Sequence, residues 1–152
     1  MRIAIIAIGK LRPGPLKDLE QLYAGRIAWP LSIRQLAERR PLPAPELKER
    51  EGALLLEALP KGATVVALDE HGKPLASAAL AQKLGQWRDG GVQDLAFLIG
   101  GADGLGAKVK ARADFTLSLG PATWPHFLAR GMLLEQLYRA QQLLAGHPYH
   151  RE

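Results

Sequence analysis

Three stretches of the 152-residue chain combine residue types that chemistry can use. The first is Gly100-Gly101-Ala102-Asp103-Gly104-Leu105-Gly106, directly behind the apolar run Leu95–Ile99. Glycines there let a backbone bend sharply and let a ligand approach its amides. The spacing does not match the dinucleotide fingerprint, which needs G-x-G-x-x-G. It is also a near miss for a phosphate-binding P-loop. Gly101 and Gly106 have the required gap, but Ala107-Lys108-Val109 follows in place of Lys-Ser/Thr, which argues against a nucleoside triphosphatase. A tight turn before a helix would use the same residues.

The second stretch is Gly120-Pro121-Ala122-Thr123-Trp124-Pro125-His126. A stiff loop of this kind can present backbone N–H and C=O groups to a ligand with both donors and acceptors, such as adenine. It serves equally as a rigid strand-to-helix connection, with Pro125 in the first helical turn, where its missing N–H costs nothing. The third is the carboxyl terminus, where His147, Tyr149, His150 and Arg151 fall within five residues. Tyr or His can stack on an unpaired base and Arg can grip phosphate. No Cys or paired carboxylate completes a metal set around the two histidines, so no metal is expected. Glu135 and Arg139 have the spacing of a surface i,i+4 ion pair. Asp69 and Asp103 stand at strand ends as possible general bases, and Asp103 could instead cap a helix. The residue order offers no Ser-His-Asp triad.

The elements that must position these groups alternate. Apolar strands are expected at Arg2–Ile8, Leu31–Leu36, Ala63–Leu68, Leu95–Ile99 and Phe115–Leu119. Between them, helical periodicity covers Leu16 to Ile27, Glu46–Leu59, Ser77–Trp87, Ala107–Ala111 and Pro125 to Ala145. Pro13-Gly14-Pro15, Pro60-Lys61-Gly62 and Gly72-Lys73-Pro74 read as turns, and Arg39 to Pro45 as an exposed basic loop. The order predicts an α/β fold with a mainly parallel sheet flanked by helices. Ligands of such sheets sit beyond the carboxyl ends of the strands. Leu68-Asp69, Gly100–Gly104 and Gly120–Pro125 all lie there.

Length fits one domain, residues 1–152. Hydrophobic residues at 47% and charged residues at 23% are ordinary globular values. The absence of cysteine excludes disulfide scaffolds, zinc–thiolate and iron–sulfur sites and Cys nucleophiles. No run approaches the ~20 apolar residues of a membrane span. MRIAIIAIG reads as a buried strand rather than a signal peptide, so a cytoplasmic protein is expected. Net charge is +5, and its distribution is uneven. Residues 1–50 carry ten Lys/Arg against five Asp/Glu, while residues 51–152 carry ten of each. A basic first third suits a polyanionic partner, though a solvated basic surface would look the same.

The blocks MRIAIIAIGK, VVALDEHGK, FLIGGADGL, LSLGPATWPHFLAR, LLEQLYRAQQLLAG and HPYHRE span the chain. Together they resemble the SPOUT-class RNA methyltransferases. Within that class they resemble the small enzymes that methylate N3 of a pseudouridine in bacterial large-subunit ribosomal RNA. Family members often carry Pro-Glu where this chain has Ala102-Asp103, and Asn where it has Gly146. The resemblance implies an α/β sheet whose carboxyl-terminal part forms a trefoil knot, which general topology rules would not suggest. It implies S-adenosyl-L-methionine bound against Leu68, Gly100, Gly101 and the loop Gly120, Pro121, Ala122, Thr123, Trp124 and Pro125. It implies a homodimer in which the tail of one subunit reaches the active site of the other. His126, Arg139, Tyr149, His150 and Arg151 become the catalytic candidates. Tyr149 or His150 would orient the base, and Arg139 and Arg151 would bind phosphate or the developing anion. Small size and basic charge add that the substrate is a large shaped RNA such as the assembled ribosome, with the N-terminal basic region docking on it. A non-catalytic RNA-binding or ribosome-assembly module on the same fold, or a related transfer-RNA methyltransferase, are the alternatives.

Overall fold

A computed structural model describes residues 1–151, with His150 and Arg151 described by their backbone alone. Five strands alternate with five helices. They are β1 (Arg2–Ile8), α1 (Pro15–Ala24), β2 (Leu31–Leu36), α2 (Ala44–Glu57), β3 (Thr64–Pro74), α3 (Ser77–Asp89), β4 (Asp94–Ile99), α4 (Ala107–Arg112), β5 (Phe115–Ser118) and α5 (His126–Leu144). A short 3-10 turn, Pro148–Arg151, follows. All strand pairs are parallel, in the order β2-β1-β4-β3-β5.

The apolar runs of β1 and β4 are covered on both faces, as central parallel strands must be. One face buries Ile3, Ile5, Phe97 and Leu95 against Leu80 and Leu84 of α3 and Leu133, Leu134 and Leu137 of α5. The other buries Ile6, Ile8, Val65 and Leu98 against Leu55 of α2 and Val109 of α4. Helix α5 lies across α1 and α3. At Gly131 of α5 an added Cβ would come 2.7 Å from Leu19 of α1, so glycine sets how closely the two helices pack. Among the described residues no helix is long and apolar enough to cross a membrane.

The alternation expected from sequence is present, with local differences. Helix α1 ends at Ala24 rather than Ile27. Helix α2 starts at Ala44, with Pro45 in its first turn, so the end of the expected loop is helical. The largest difference is at Gly72-Lys73-Pro74, which is no turn. Strand β3 pairs Leu68 with Leu117, bulges through Asp69–Gly72, and returns to pair Lys73 with Leu117 and Pro74 with Ser118. Gly72 permits this because an added Cβ would sit 2.7 Å from the Thr116 carbonyl oxygen. It is a close-approach glycine inside a strand, not a turn glycine. Asp103 caps nothing: the residue at the amino end of α4 is Gly106, with no side-chain cap.

Two charged clusters are buried in this frame. Arg130 of α5 is fully buried. Its Nη2 donates to the carbonyl oxygens of Ile8 (2.9 Å) and Gly9 (2.5 Å), and its Nη1 donates to Gln35 Oε1 at 2.8 Å. Gln35 Oε1 also accepts from the Leu11 N–H at 2.7 Å. Glu20 of α1 lies 3.9 Å from Nη1. Burial pushes the Arg130 guanidinium below its ordinary value, and Glu20 partly opposes this. Burial likewise pushes the Glu20 carboxyl up, against the charges of Arg130 and Lys17. Glu51 of α2 is buried under Gly101, and burial together with the charge of Asp103 raises its carboxyl.

Replacing Arg130 by Met should cost about 3–5 kcal/mol in urea unfolding, because it strips the β1 carbonyls and leaves Glu20 buried alone. Adding Glu20→Gln should recover part of that loss. A carboxyl raised in the folded state stabilises below its unfolded value of about 4.3 and loses that contribution as pH rises through its folded value. Glu51→Gln should therefore melt higher than the parent at pH 7, with the gain vanishing near pH 4.

Candidate functional site

The carboxyl ends of β3, β4 and β5 open onto a cavity of about 530 Å³, a size suited to a small organic ligand. Three chain segments form it. The first is the glycine turn after β4. The Gly104 N–H donates to the Gly101 carbonyl at 3.0 Å, and an added Cβ at Gly100 would come 2.7 Å from the Gly104 oxygen. Only glycine at position 100 lets the turn close this tightly.

The second segment is the β3 bulge, and the third is the 119–125 loop; one buried hydroxyl ties them together. Ser118 Oγ lies 3.0 Å from the Glu70 carbonyl oxygen and 2.8 Å from that of Gly120, and accepts from the Gly120 N–H at 3.1 Å. Further out, the Thr123 hydroxyl donates to the Glu70 carboxylate at 2.5 Å. The indole N–H of Trp124, an exposed side chain, points to the Leu119 carbonyl at 3.4 Å. The bulge thus braces the loop from backbone to side chain.

The lining carries three carboxylates and no Lys or Arg. Asp69 is paired with Lys110 at 2.9 Å. Burial pushes its carboxyl up, but Lys110 and the His71 N–H outweigh this and hold it below the usual range. Glu70 and Asp103 stand at the rim. His126, at the start of α5, lines the cavity as well. Burial, and then the charge of Arg130, lower its imidazole, so it is neutral at pH 7. Among the described residues no group of His, Cys, Asp and Glu could hold a metal ion.

The cavity gathers eight of the nine residues expected to hold a cofactor: Leu68, Gly100, Gly101, Gly120, Ala122, Thr123, Trp124 and Pro125. Pro121 does not line it and is exposed. Of the catalytic candidates whose side chains are described, only His126 lines it. Arg139 and Tyr149 form a separate cluster beside Glu135 and Tyr138 of α5. Arg139 Nη2 donates to Glu135 Oε1 at 2.6 Å, and the Tyr149 hydroxyl donates to the same oxygen at 3.2 Å. The Tyr149 ring packs edge-on against Tyr138, with ring centres 4.6 Å apart. Burial, the Tyr23 phenol and the negative Glu135 push the Tyr149 hydroxyl up to about 12, so it remains a neutral donor. The Glu135–Arg139 pair expected on a plain surface instead anchors the tail. The side chains of His150 and Arg151 lie outside the described residues.

Sequence reasoning missed Ser118, Glu70, Glu51 and Arg130. Ser118 and Arg130 had no local signal, since their partners are 48 and 122 residues away. Glu70 stood beside Asp69 in LDEHGK, and a bulge inside β3, had it been expected, would have aimed both acids at the loop.

A family profile described as "Predicted SPOUT methyltransferase" matches residues 1–150. The Ribosomal RNA large subunit methyltransferase H of Rhodospirillum centenum is 56% identical over 151 residues, 99% of either chain. That of Paramagnetospirillum magneticum is 54% identical over the same shares. Among solved structures, a methylase family protein from Haemophilus influenzae superposes with a TM-score of 0.57 at 10% identity, over 97% of this chain and 69% of that one. A Legionella pneumophila protein described as a methyltransferase, solved with bound SAM, superposes with a TM-score of 0.50 at 14% identity, over 92% and 66%. These two likenesses bear on the fold, and the chain spans about two thirds of both neighbours. With the family profile and half-identical relatives both running nearly end to end, the chain belongs to the SPOUT methyltransferases.

Proposed function

We propose that this protein transfers a methyl group from S-adenosyl-L-methionine to N3 of a pseudouridine in large-subunit (23S) ribosomal RNA, acting on the assembled ribosome. The observation that carries this reading is the convergence of the glycine turn, the β3 bulge and the 119–125 loop on one cavity. The names of the half-identical relatives supply the RNA class.

The residues present fit the cofactor. The backbones of Gly100–Gly101 and Gly120–Pro125 offer both donors and acceptors for an adenine. Leu68, Ile99 and Leu105 offer it apolar contact. The acidic, Lys- and Arg-free lining favours a ligand that carries a sulfonium and an ammonium. When bound, S-adenosylmethionine supplies an electrophilic methyl group, so no metal is required. The protein's contribution is then chiefly alignment, which can remove much of such a barrier. Ser118 and the Glu70–Thr123 bond hold the loop that frames the cavity. The N3 imide proton of the base must leave for N3 to become a nucleophile. The neutral imidazole of His126, at the rim, is placed to accept it.

Arg139 and Tyr149 stand apart from the cavity of their own chain. The reading therefore includes a homodimer, in which the tail, with Tyr149, His150 and Arg151, completes the cavity of the partner. There Tyr149 donates a hydrogen bond to the base, and the arginines face phosphate or the developing anion. It also includes one SPOUT domain over residues 1–152, a carboxyl-terminal trefoil knot and a cytoplasmic location. The knot reading is supported by β4 lying between the earlier strands β1 and β3, with both cavity loops following it in sequence.

Calorimetric titration tests the cofactor reading: S-adenosylmethionine and S-adenosylhomocysteine should each bind at one site per subunit. Gly100→Ala should weaken both at least about ten-fold, since one clash opens the turn. No heat with either ligand, even with ribosomes present, would leave an RNA-binding module in place of an enzyme. Deletion of residues 149–152 should preserve cofactor binding and lower methyl transfer to ribosomes by roughly 100-fold or more. Unchanged transfer would make the tail inert, and equal activity on short naked RNA would remove the ribosome from the reading.

A further inference from the structure

Most cations of this chain are already spoken for. Arg2 pairs with Asp94, Arg88 with Asp89, Lys108 with Glu49, Lys110 with Asp69, Arg112 with Asp114, and Arg139 with Glu135. Arg40 and Arg50 share Glu38, which they hold down at about 2. Arg26 lies over Tyr23 and Tyr138, and Lys83 over Trp87 and Phe115. Arg130 is buried. In the first third this leaves Lys17 and Lys48, both half-buried on helices α1 and α2, and four exposed side chains. Lys10, Arg12, Arg34 and Arg39 are exposed, and none is in an ion pair or over a ring among the described residues.

These four occupy one edge of the sheet. Lys10 and Arg12 follow the carboxyl end of β1, and Arg39 follows that of β2. Arg34 is on β2, the edge strand, two residues before its end and opposite Ile6 of β1. The two ends are bonded together: the Gly9 N–H donates to the Leu36 carbonyl at 2.8 Å, and the Leu11 N–H to Gln35. The strip also abuts the cavity. A Cβ at Gly9 would come 3.5 Å from His126 Nε2, and His126 lines the cavity. So a run of unpaired cations begins at Lys10, next to the glycine that faces the cavity-lining His126, and extends along β2.

We propose that Lys10, Arg12, Arg34 and Arg39 form the docking strip for the phosphodiester backbone of the RNA substrate, adjacent to the cavity of the same chain. The inference rests on the RNA reading above and specifies its contact surface. The chemistry is charge complementarity with counterion release: each phosphate neutralised releases condensed cations, so binding weakens linearly in log salt. Paired cations contribute little to such a slope because their acid partner already compensates them. Free ones contribute in full. Lys61 provides an internal control. It is exposed and unpaired, but it precedes β3 at the opposite end of the sheet.

The test is ribosome binding by the full-length protein, measured by co-sedimentation between about 50 and 200 mM salt, with S-adenosylmethionine affinity measured in parallel. Each of Lys10→Gln, Arg12→Gln, Arg34→Gln and Arg39→Gln should flatten the slope of log affinity against log salt by about 0.7–0.9, and the quadruple variant by about 3. Lys61→Gln should leave the slope as it is. All six variants should keep the parent's cofactor affinity, which shows them folded. A quadruple variant with the parent's slope would overturn the proposal and assign docking to protein contacts or to another face. A change in its oligomeric state would overturn it too, by making the strip an interface between copies. If the unaltered protein binds cofactor but no ribosomes at any salt, the RNA reading itself falls, a result distinct from loss of the strip.

Discussion

The guanidinium of Arg130 closes the sheet against its longest helix. Parallel strands end in carbonyls that the next connection must satisfy, and β1 ends deep in the molecule, where water does not reach. Arg130 donates to the last two of those carbonyls and, through Gln35, to the end of β2. A planar fork holds its donors in fixed directions toward several acceptors at once, which the freely rotating ammonium of a lysine does not. The cost is a charge taken out of water with only a distant acid, Glu20, beside it. Such a buried charge is weak evidence for stability and stronger evidence for a required geometry. Here the geometry brings His126, one helical turn earlier on α5, to the edge of the cavity and keeps it neutral.

A second constraint acts from the opposite side of the cavity. The bulge in β3 lets one strand pair with β5 in two registers around Leu117. The four residues left over carry Asp69 and Glu70 outward to the 119–125 loop. Bulges commonly re-aim side chains beside functional sites, and this one does so with a backbone tie through Ser118 and a side-chain tie through Thr123. Cavity shape therefore depends on sheet irregularity more than on the loops alone. The loops themselves are rich in glycine and proline, which suits a ligand held partly by main-chain groups.

Charge is arranged with similar economy. The cavity is lined by acids, a group of exposed, unpaired cations lies along the β2 edge, and most of the remaining cations have an acid or a ring as partner. A single net value of +5 conceals this separation. Opposite potentials side by side can hold a cationic small ligand and a polyanion at neighbouring sites without either competing for the other's groups.

Much of this was legible in the residues alone. Apolar runs and period-3.6 patterns marked all five strands and all five helices, because burial is a local demand that the chain must meet residue by residue. Glycine and proline spacing marked the two loops that frame the cavity, since backbone shape is also local. The resemblance carried by IGG-x-x-GL, T-x-PH and the terminal HPYH supplied the family. Tertiary structure alone decided the rest. It turned Gly72 from an expected turn into a close-approach position within a strand. It drew Arg130 to β1 across 122 residues and Ser118 to the bulge across 48. It removed Pro121 from the cavity lining and set Arg139 and Tyr149 on Glu135, away from the cavity. Those outcomes depend on which surfaces meet, and a hydrogen bond between residues a hundred positions apart leaves no periodic trace in the sequence that forms it.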